Sequence, residues 1–197
     1  MRTALLSGGL LAFALSFDTY TFTDDVENFG PLDDDTDIPT EKVPRRHGVF
    51  VNEVPWVVQK VFKECNLSAV QLHGEEIPET CQELALIPLV KTLRIREEKD
   101  IKTLAAYPVL SAFLLDSYVE AKPGGTGKTF PWKWVVTAKK TLNRPVILAG
   151  GLTPANVAEA VKESQPYAVD ASSGVESKPG KKDAAKLKQF IKKAKGL

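Results

Sequence analysis

Six times after residue 47, a short apolar run without polar alternation is followed by a segment whose apolar residues recur at helical spacing. "GVFVN" (48–52) precedes Val54, Val57, Val58, Val61, Phe62 and Cys65 on one helical face. "AVQLHG" (69–74) leads to a helix candidate starting near Pro78, with Cys81, Leu84 and Ala85 inward. "IPLVKTL" (87–93) precedes "EEKDIKTLAAY", where Ile101, Leu104 and Ala105 share a side. "SAFLLDS" (111–117) precedes a glycine-rich loop and "PWKWVVTAKKTL", which puts Val135, Val136, Ala138, Lys139 and Leu142 at helical positions. "PVILAGG" (145–151) precedes "TPANVAEAVKE", and "YAVDASSG" (167–174) precedes "KDAAKLKQFIKKAK", whose stripe is Ala184, Leu187, Phe190, Ile191 and Ala194. A strand apolar on both faces must be covered on both, so this rhythm describes a parallel sheet clad by helices.

Counting "LAFALSF" (11–17) as another strand gives seven, one short of a closed eight-stranded barrel. The expected class is therefore α/β, a (β/α)8 TIM barrel incomplete at its N-terminus, with residues 1–197 as one domain. Residues 18–47 break the rhythm: they are acidic, carry prolines at 31, 39 and 44, and read as a solvated, partly disordered loop. Asp33, Asp35 and Asp37 have calcium-loop spacing, but the glycine and distal glutamate of an EF-hand loop are missing. "MRTALLSGGLLAFALSF" has the outline of a leader peptide, yet it is short, interrupted by glycine and lacks a clean cleavage site, so a buried strand is the expectation.

The 26 basic and 25 acidic side chains leave no global field to attract nucleic acid or an acidic membrane, so a small-molecule partner is expected. The lysine-rich final helix, Lys186 to Lys195, reads as a solvated face. Two cysteines, Cys65 and Cys81, without a CxxC or a Cys/His cluster, argue against a disulfide scaffold or a structural zinc and fit a reducing cytoplasm.

In such a barrel, ligands sit at the carboxyl ends of the strands, and phosphate commonly lies on the last two βα loops. Here those loops are "AGGL" (149–152) and "ASSGVE" (171–176). Gly150 and Gly151 permit close backbone approach, Ser172 and Ser173 offer hydroxyls, and Gly174 opens a further amide cradle. Together they predict a phosphate clamp; a pair of ligand-free tight turns is the competing reading.

"GVFVNE", "VQLHGEE", "FLLDS" followed by "GGTGKTFPW", "VILAGGLTPANV" and "VDASSGVESKPGKKD" resemble, in order and interval, the phosphoribosylanthranilate isomerases of tryptophan biosynthesis. The resemblance covers residues 48–197 almost continuously and reaches "LAFALSF", which resembles the family's second strand, more weakly. It implies an Amadori rearrangement, in which a phosphoribosylated aromatic amine opens its ribose ring and becomes an aminoketose, with neither metal nor cofactor. Two proton transfers then require an acid and a base. By the resemblance, Asp116 in "FLLDS" matches the general acid on the ring oxygen, and the mouth of an apolar barrel would favour an acid that keeps its proton. Asp170 in "VDASSG" resembles the residue that contacts the sugar hydroxyls, a structural hydrogen bond being its competing role, and His73 in "QLHG" sits where the family lines its pocket. Gly124, Gly125 and Gly127 in "GGTG" resemble the family's mobile loop, which would close over the substrate. Trp132 and Trp134 are expected to pack rather than to stack on the aromatic ring, and His47, before its strand, has no assigned role.

The family's first-strand "K-x-C-G" base motif and its "S-P-R"-like arginine have no counterpart here. Cys65 and Cys81 fall on helices, and Arg45 and Arg46 precede a strand at its wrong end. The expectation is an isomerase chain with a truncated or mispredicted N-terminal part. The alternative is a phosphosugar-binding homologue or scaffold subunit that lacks the base. Indole-glycerol-phosphate synthase is a poorer match, because its catalytic lysine and glutamates on early strands cannot be placed. An open barrel would also leave strand edges that invite homo-oligomer formation.

Overall fold

In the computed structural model, the structure describes residues 15–16, 47–107, 109–117 and 130–196. Six strands lie side by side in chain order: β2 (His47–Phe50), β3 (Ala69–Leu72), β4 (Leu89–Ile95), β5 (Ala112–Ser117), β6 (Val146–Leu148) and β7 (Ala168–Val169). Every neighbouring pair among them is parallel. Between and after them come α1 (Pro55–Glu64), α2 (Pro78–Glu83), a 3-10 helix (Glu98–Ala106), α3 (Lys133–Leu142), α4 (Val157–Ser164) and α5 (Ala184–Ala194). The strand order never reverses, which is the winding of a barrel wall and not of a doubly wound sheet.

"LAFALSF" departs from expectation. Its described residues, β1 (Leu15–Ser16), pair with β7, Leu15 opposite Val169, and the pairing is antiparallel. Among the described residues, the sheet therefore has seven strands, but six parallel ones and a reversed two-residue edge rather than seven parallel. A chain segment adding to an edge needs only unpaired backbone groups and can run in either direction, whereas a strand followed by a covering helix must run parallel. The acidic segment expected over 18–47 and the leader-like start lie outside the described residues, apart from β1 and His47.

Side chains alternate across a strand, and the two faces of this sheet pack differently. Val70, Leu72, Leu89, Ile95, Phe113, Leu115, Val146, Leu148 and Val169 join helix residues such as Val58, Ile101, Val135, Ala160 and Phe190 in one buried core. The intervening residues, Val90, Ala112, Leu114, Ile147, Ala149 and Ala168, form a second, smaller cluster on the opposite face. The described helices thus cover a single face, and the other carries Val, Leu, Ile and Ala side chains, the apolar filling expected of a barrel interior. Trp132 and Trp134 pack on the main core, and Trp134 stacks on Phe130 with ring centroids 6.0 Å apart.

Several helix expectations shift in detail. Val54 is the exposed residue preceding α1, because Pro55 takes the first helical turn, where a missing N–H costs nothing. Ala85 lies exposed beyond the six-residue α2. Ala105 is also exposed: the "EEKDIKTLAAY" segment is wound as a 3-10 helix, so Ile101 and Leu104 eclipse each other at three residues per turn and Ala105 is carried off the buried face. Lys139 and Ala184 likewise face outward.

The loop after β3 is pinned by a buried ion pair. Lys91 Nζ donates to Glu76 Oε2 at 2.8 Å and to the Gly74 carbonyl at 2.6 Å, with both charged side chains no more than 5% exposed. Glu76 also accepts the Asn52 and Gly74 amides, and its carbonyl accepts the Tyr107 hydroxyl at 2.8 Å. Burial alone would push the Glu76 carboxyl up, but the Lys91 hydrogen bond, the Asn52 amide and the Lys91 charge together hold it below the usual carboxylate value. Lys91→Met should therefore strand an uncompensated buried carboxylate and cost roughly 3–5 kcal/mol, measured by denaturant unfolding near neutral pH. Because the folded-state value is lowered, the pair's contribution is present above the unfolded carboxyl's value and fades as pH falls through the folded one. The deficit of the variant should shrink in acid.

Candidate active site

Residues at the carboxyl ends of the parallel strands converge. Asp116, next to last in β5, is opposite Arg94 in register with β4, and Arg94 pairs outward with Glu75 at 3.3 Å. Asp116 follows Ala112 and Leu114 at two-residue spacing, so its carboxylate rises from the face opposite the helices. His73, just past β3, shares the face of Gln71, and its Nε2 lies 3.5 Å from Asp116 Oδ2. The other carboxylate oxygen, Oδ1, accepts the Ser117 amide at 2.7 Å. Both side chains of the His73–Asp116 pair are partly buried, at 28% and 17% exposure.

The loop after β6 passes directly over this acid. Gly150 and Gly151 have φ of +86° and +66°, a left-handed backbone that favours glycine. A Cβ on Gly150 would stand 2.5 Å from the Ser117 nitrogen and 2.7 Å from Asp116 Oδ1. Gly150 is thus required both by conformation and by proximity to the carboxylate, and Gly151 by conformation. Asn156 braces the same loop, its Oδ1 accepting the Thr153 amide at 2.8 Å and its Nδ2 donating to the Gly151 carbonyl at 3.0 Å. The helix α4 begins at Val157, and the Thr153 amide is taken by Asn156.

The loop after β7 closes against the loop after β6. A Cβ on Gly174 would fall 1.9 Å from the Leu152 carbonyl oxygen, so the 3-10 turn Ser173–Val175 sits against Leu152 and Thr153 with no room for a side chain. Ser172 and Ser173 are exposed at this junction. The hairpin β8 (Glu176–Lys178) and β9 (Lys181–Lys182) then returns Lys182, whose Nζ donates to the Ser172 carbonyl at 3.0 Å and to Glu176 Oε1 at 2.9 Å.

Asp170 follows β7 directly, its amide bonded to the Leu148 carbonyl at 2.9 Å. Burial first, and then the neighbouring Asp116 carboxylate, push its carboxyl up to about 6, against the pull of His73 and Lys182. A raised acid binds its proton more tightly in the folded state than in the unfolded, so stability falls as pH rises from about 4 to about 6. Asp170→Asn should therefore gain about 3 kcal/mol of stability near pH 8 and nothing near pH 4, read from melting curves at the two pH values.

Of the residues expected from sequence, His73, Asp116, Gly150, Gly151, Asp170, Ser172, Ser173 and Gly174 all lie on loops or strand ends at one rim. Gly124, Gly125 and Gly127 lie outside the described residues. Cys65 ends α1, and Cys81 is buried in α2 with its thiol pushed up to about 11 by burial, so both belong to the helical layer. Gln71, Thr92, Asn156 and Lys182 were not anticipated. Gln71 and Thr92 had a signal, polar residues interrupting apolar strand runs.

Parallel strands with carboxylates and glycine turns gathered at their carboxyl ends are the arrangement of α/β enzymes that act on small ligands at that rim. The family model described as N-(5'-phosphoribosyl)anthranilate (PRA) isomerase matches residues 32–193. The chain belongs to this family. It is 47% identical over 148 residues to the N-(5'-phosphoribosyl)anthranilate isomerase of Trichlorobacter lovleyi, covering 75% of this chain and 71% of that one. Among solved structures it resembles the phosphoribosyl anthranilate isomerase of Thermotoga maritima, with a TM-score of 0.72 and 42% identity over 80% of this chain and 77% of that one. A phosphoribosyl anthranilate isomerase in complex with reduced 1-(o-carboxyphenylamino)-1-deoxyribulose 5-phosphate matches with a TM-score of 0.68 and 39% identity, over 80% and 76% of the two chains. Among the described residues, no helix is long and apolar enough to cross a membrane.

Proposed function

We propose that this rim carries out the isomerisation of N-(5'-phosphoribosyl)anthranilate in tryptophan biosynthesis, an intramolecular aldose-to-ketose rearrangement, in the cytoplasm. Asp116 gives its proton to the ribose ring oxygen, the C–O bond opens, and the resulting carboxylate is met by the Ser117 amide and by His73. Gly150, Gly151, Ser172, Ser173 and Gly174 hold the phosphate, and Asp170 faces the sugar hydroxyls. The six parallel strands are the wall of a (β/α)8 barrel, and their edges are surfaces for self-association.

The observation that carries this reading is the closure of the last two loops on each other at Gly174 while the first of them overlies Asp116. An anion held between them would lie beside the acid. The second proton transfer requires a base, and neither Cys65 nor Cys81 reaches the rim. That placement favours, as a second reading, a phosphosugar-binding homologue without turnover.

Rescue of a tryptophan auxotroph lacking this isomerase separates the two. Growth with the chain, and none with Asp116→Asn, is the expected result. Absence of growth combined with measurable affinity for the reduced product analogue would establish the binding-only reading instead.

A further inference from the structure

Gln71 and Thr92 are buried polar side chains, 7% and 4% exposed, on the face whose buried cluster is apolar. Gln71 Nε2 lies 2.8 Å from His73 Nδ1 and 3.1 Å from Thr92 Oγ1. Gln71 in β3 and His73 just past its end are two residues apart and share a face, and Thr92 reaches the same face from the adjacent β4. The row Thr92, Gln71, His73, Asp116 runs from the sheet interior to the rim.

We infer that Gln71 is a positioning residue that holds the imidazole of His73 with its proton on Nε2, the nitrogen facing Asp116. A neutral imidazole has one donor and one acceptor nitrogen. With one amide N–H of Gln71 directed at Nδ1 and the other at the Thr92 hydroxyl, Nδ1 is the acceptor and the ring proton sits on Nε2. An Nε2–H beside Asp116 Oδ2 stabilises the carboxylate that remains once Asp116 has passed its proton to the ring oxygen. The opposite tautomer would set two lone pairs against each other at that moment. The Asp170 carboxylate also acts on His73, and Arg94, which is opposite Asp116 in register, is turned to Glu75. Neither occupies Nδ1, which is left to Gln71.

The test reads the tautomer directly. The chain has two histidines, His47 and His73, so a two-bond 1H–15N correlation spectrum of the 15N-histidine-labelled full chain, at a pH where the rings are neutral, gives two patterns, and His73→Asn assigns them. The expected pattern for His73 is Nε2–H in the unmodified chain, a mixture in Gln71→Met, and Nδ1–H in Gln71→Glu, whose carboxylate demands a donor. An Nδ1–H pattern in the unmodified chain overturns the inference, and because that spectrum needs no substitution at Gln71, it decides the matter even where a Gln71 variant misfolds. An unchanged tautomer in folded Gln71→Met and Gln71→Glu overturns it equally. The kinetic arm rests on the isomerase reading: kcat should fall about 10-fold in Gln71→Met and further in Gln71→Glu, with KM within about two-fold. Rescue of kcat by the isosteric Gln71→Glu would show a merely space-filling role. The spectrum stands whether or not the chain turns over, so failure of the inference and failure of the proposed activity are told apart.

Discussion

Asp116→Asn should lower kcat for the isomerisation by about 10²–10⁴-fold while leaving KM and the melting temperature nearly unchanged. The amide has the size of the carboxylate, and its oxygen can keep the Ser117 amide bond, so packing at the end of β5 is preserved. What it cannot do is give up a proton to an ether oxygen as the C–O bond breaks. Loss of kcat at constant KM is the signature of an interaction made in the transition state, and a parallel rise in KM would instead make Asp116 a binding group. Steady-state kinetics with the purified full chain, accompanied by a melting curve for each protein, provide the measurement.

Gly174→Ala should have the second large effect, and on a different quantity. The new methyl would stand 1.9 Å from the Leu152 carbonyl oxygen, a backbone atom that no rotamer change can move aside. The two loops must part. If they share a phosphate through charge-assisted amide bonds worth about 1.5–3 kcal/mol each, losing two of them weakens phosphate-bearing ligands by roughly 10²–10⁴-fold. Overpacking adds about 1–3 kcal/mol of lost stability. Titration calorimetry with reduced 1-(o-carboxyphenylamino)-1-deoxyribulose 5-phosphate, alongside its dephosphorylated form, isolates the effect: the variant should bind both about equally weakly. Full retention of the preference for the phosphorylated form would place the phosphate elsewhere.

Much of this architecture is legible in the sequence because parallel strands are covered on both faces and therefore read as unbroken apolar runs. "AVQLHG", "SAFLLDS" and "PVILAGG" each contain the strand they suggest, Ala69–Leu72, Ala112–Ser117 and Val146–Leu148. The rim was legible for a related reason: a polar residue or paired glycine ending such a run must lie at the strand's carboxyl end. "LAFALSF" shows the limit. Its composition states that it is strand-like, but direction and neighbour are set by which edge is open, and Leu15–Ser16 pairs antiparallel with β7. Periodicity also could not distinguish a 3-10 helix from an α-helix at Glu98–Ala106, where Ile101 and Leu104 satisfy both spacings.

Contacts between side chains distant in sequence were the least visible. Nothing in "VQLHG" reveals that Gln71 reaches Thr92, 21 residues away, nor does Lys91 advertise Glu76 as its partner. Lys91 was counted within an apolar strand run, and only the packed loop after β3 explains how a charge is tolerated there. Asn156 illustrates the same point at shorter range, since nothing in "TPANV" reveals that its side chain takes the Thr153 amide.

A crystal structure of the full chain bound to reduced 1-(o-carboxyphenylamino)-1-deoxyribulose 5-phosphate is the most direct test of the shared rim. The phosphate is expected between the Gly150–Gly151 and Ser172–Gly174 backbones, with the Asp116 carboxyl within hydrogen-bond distance of the sugar oxygen that derives from the ring. A phosphate bound away from those two loops, or an Asp116 side chain turned from the sugar, would contradict this placement.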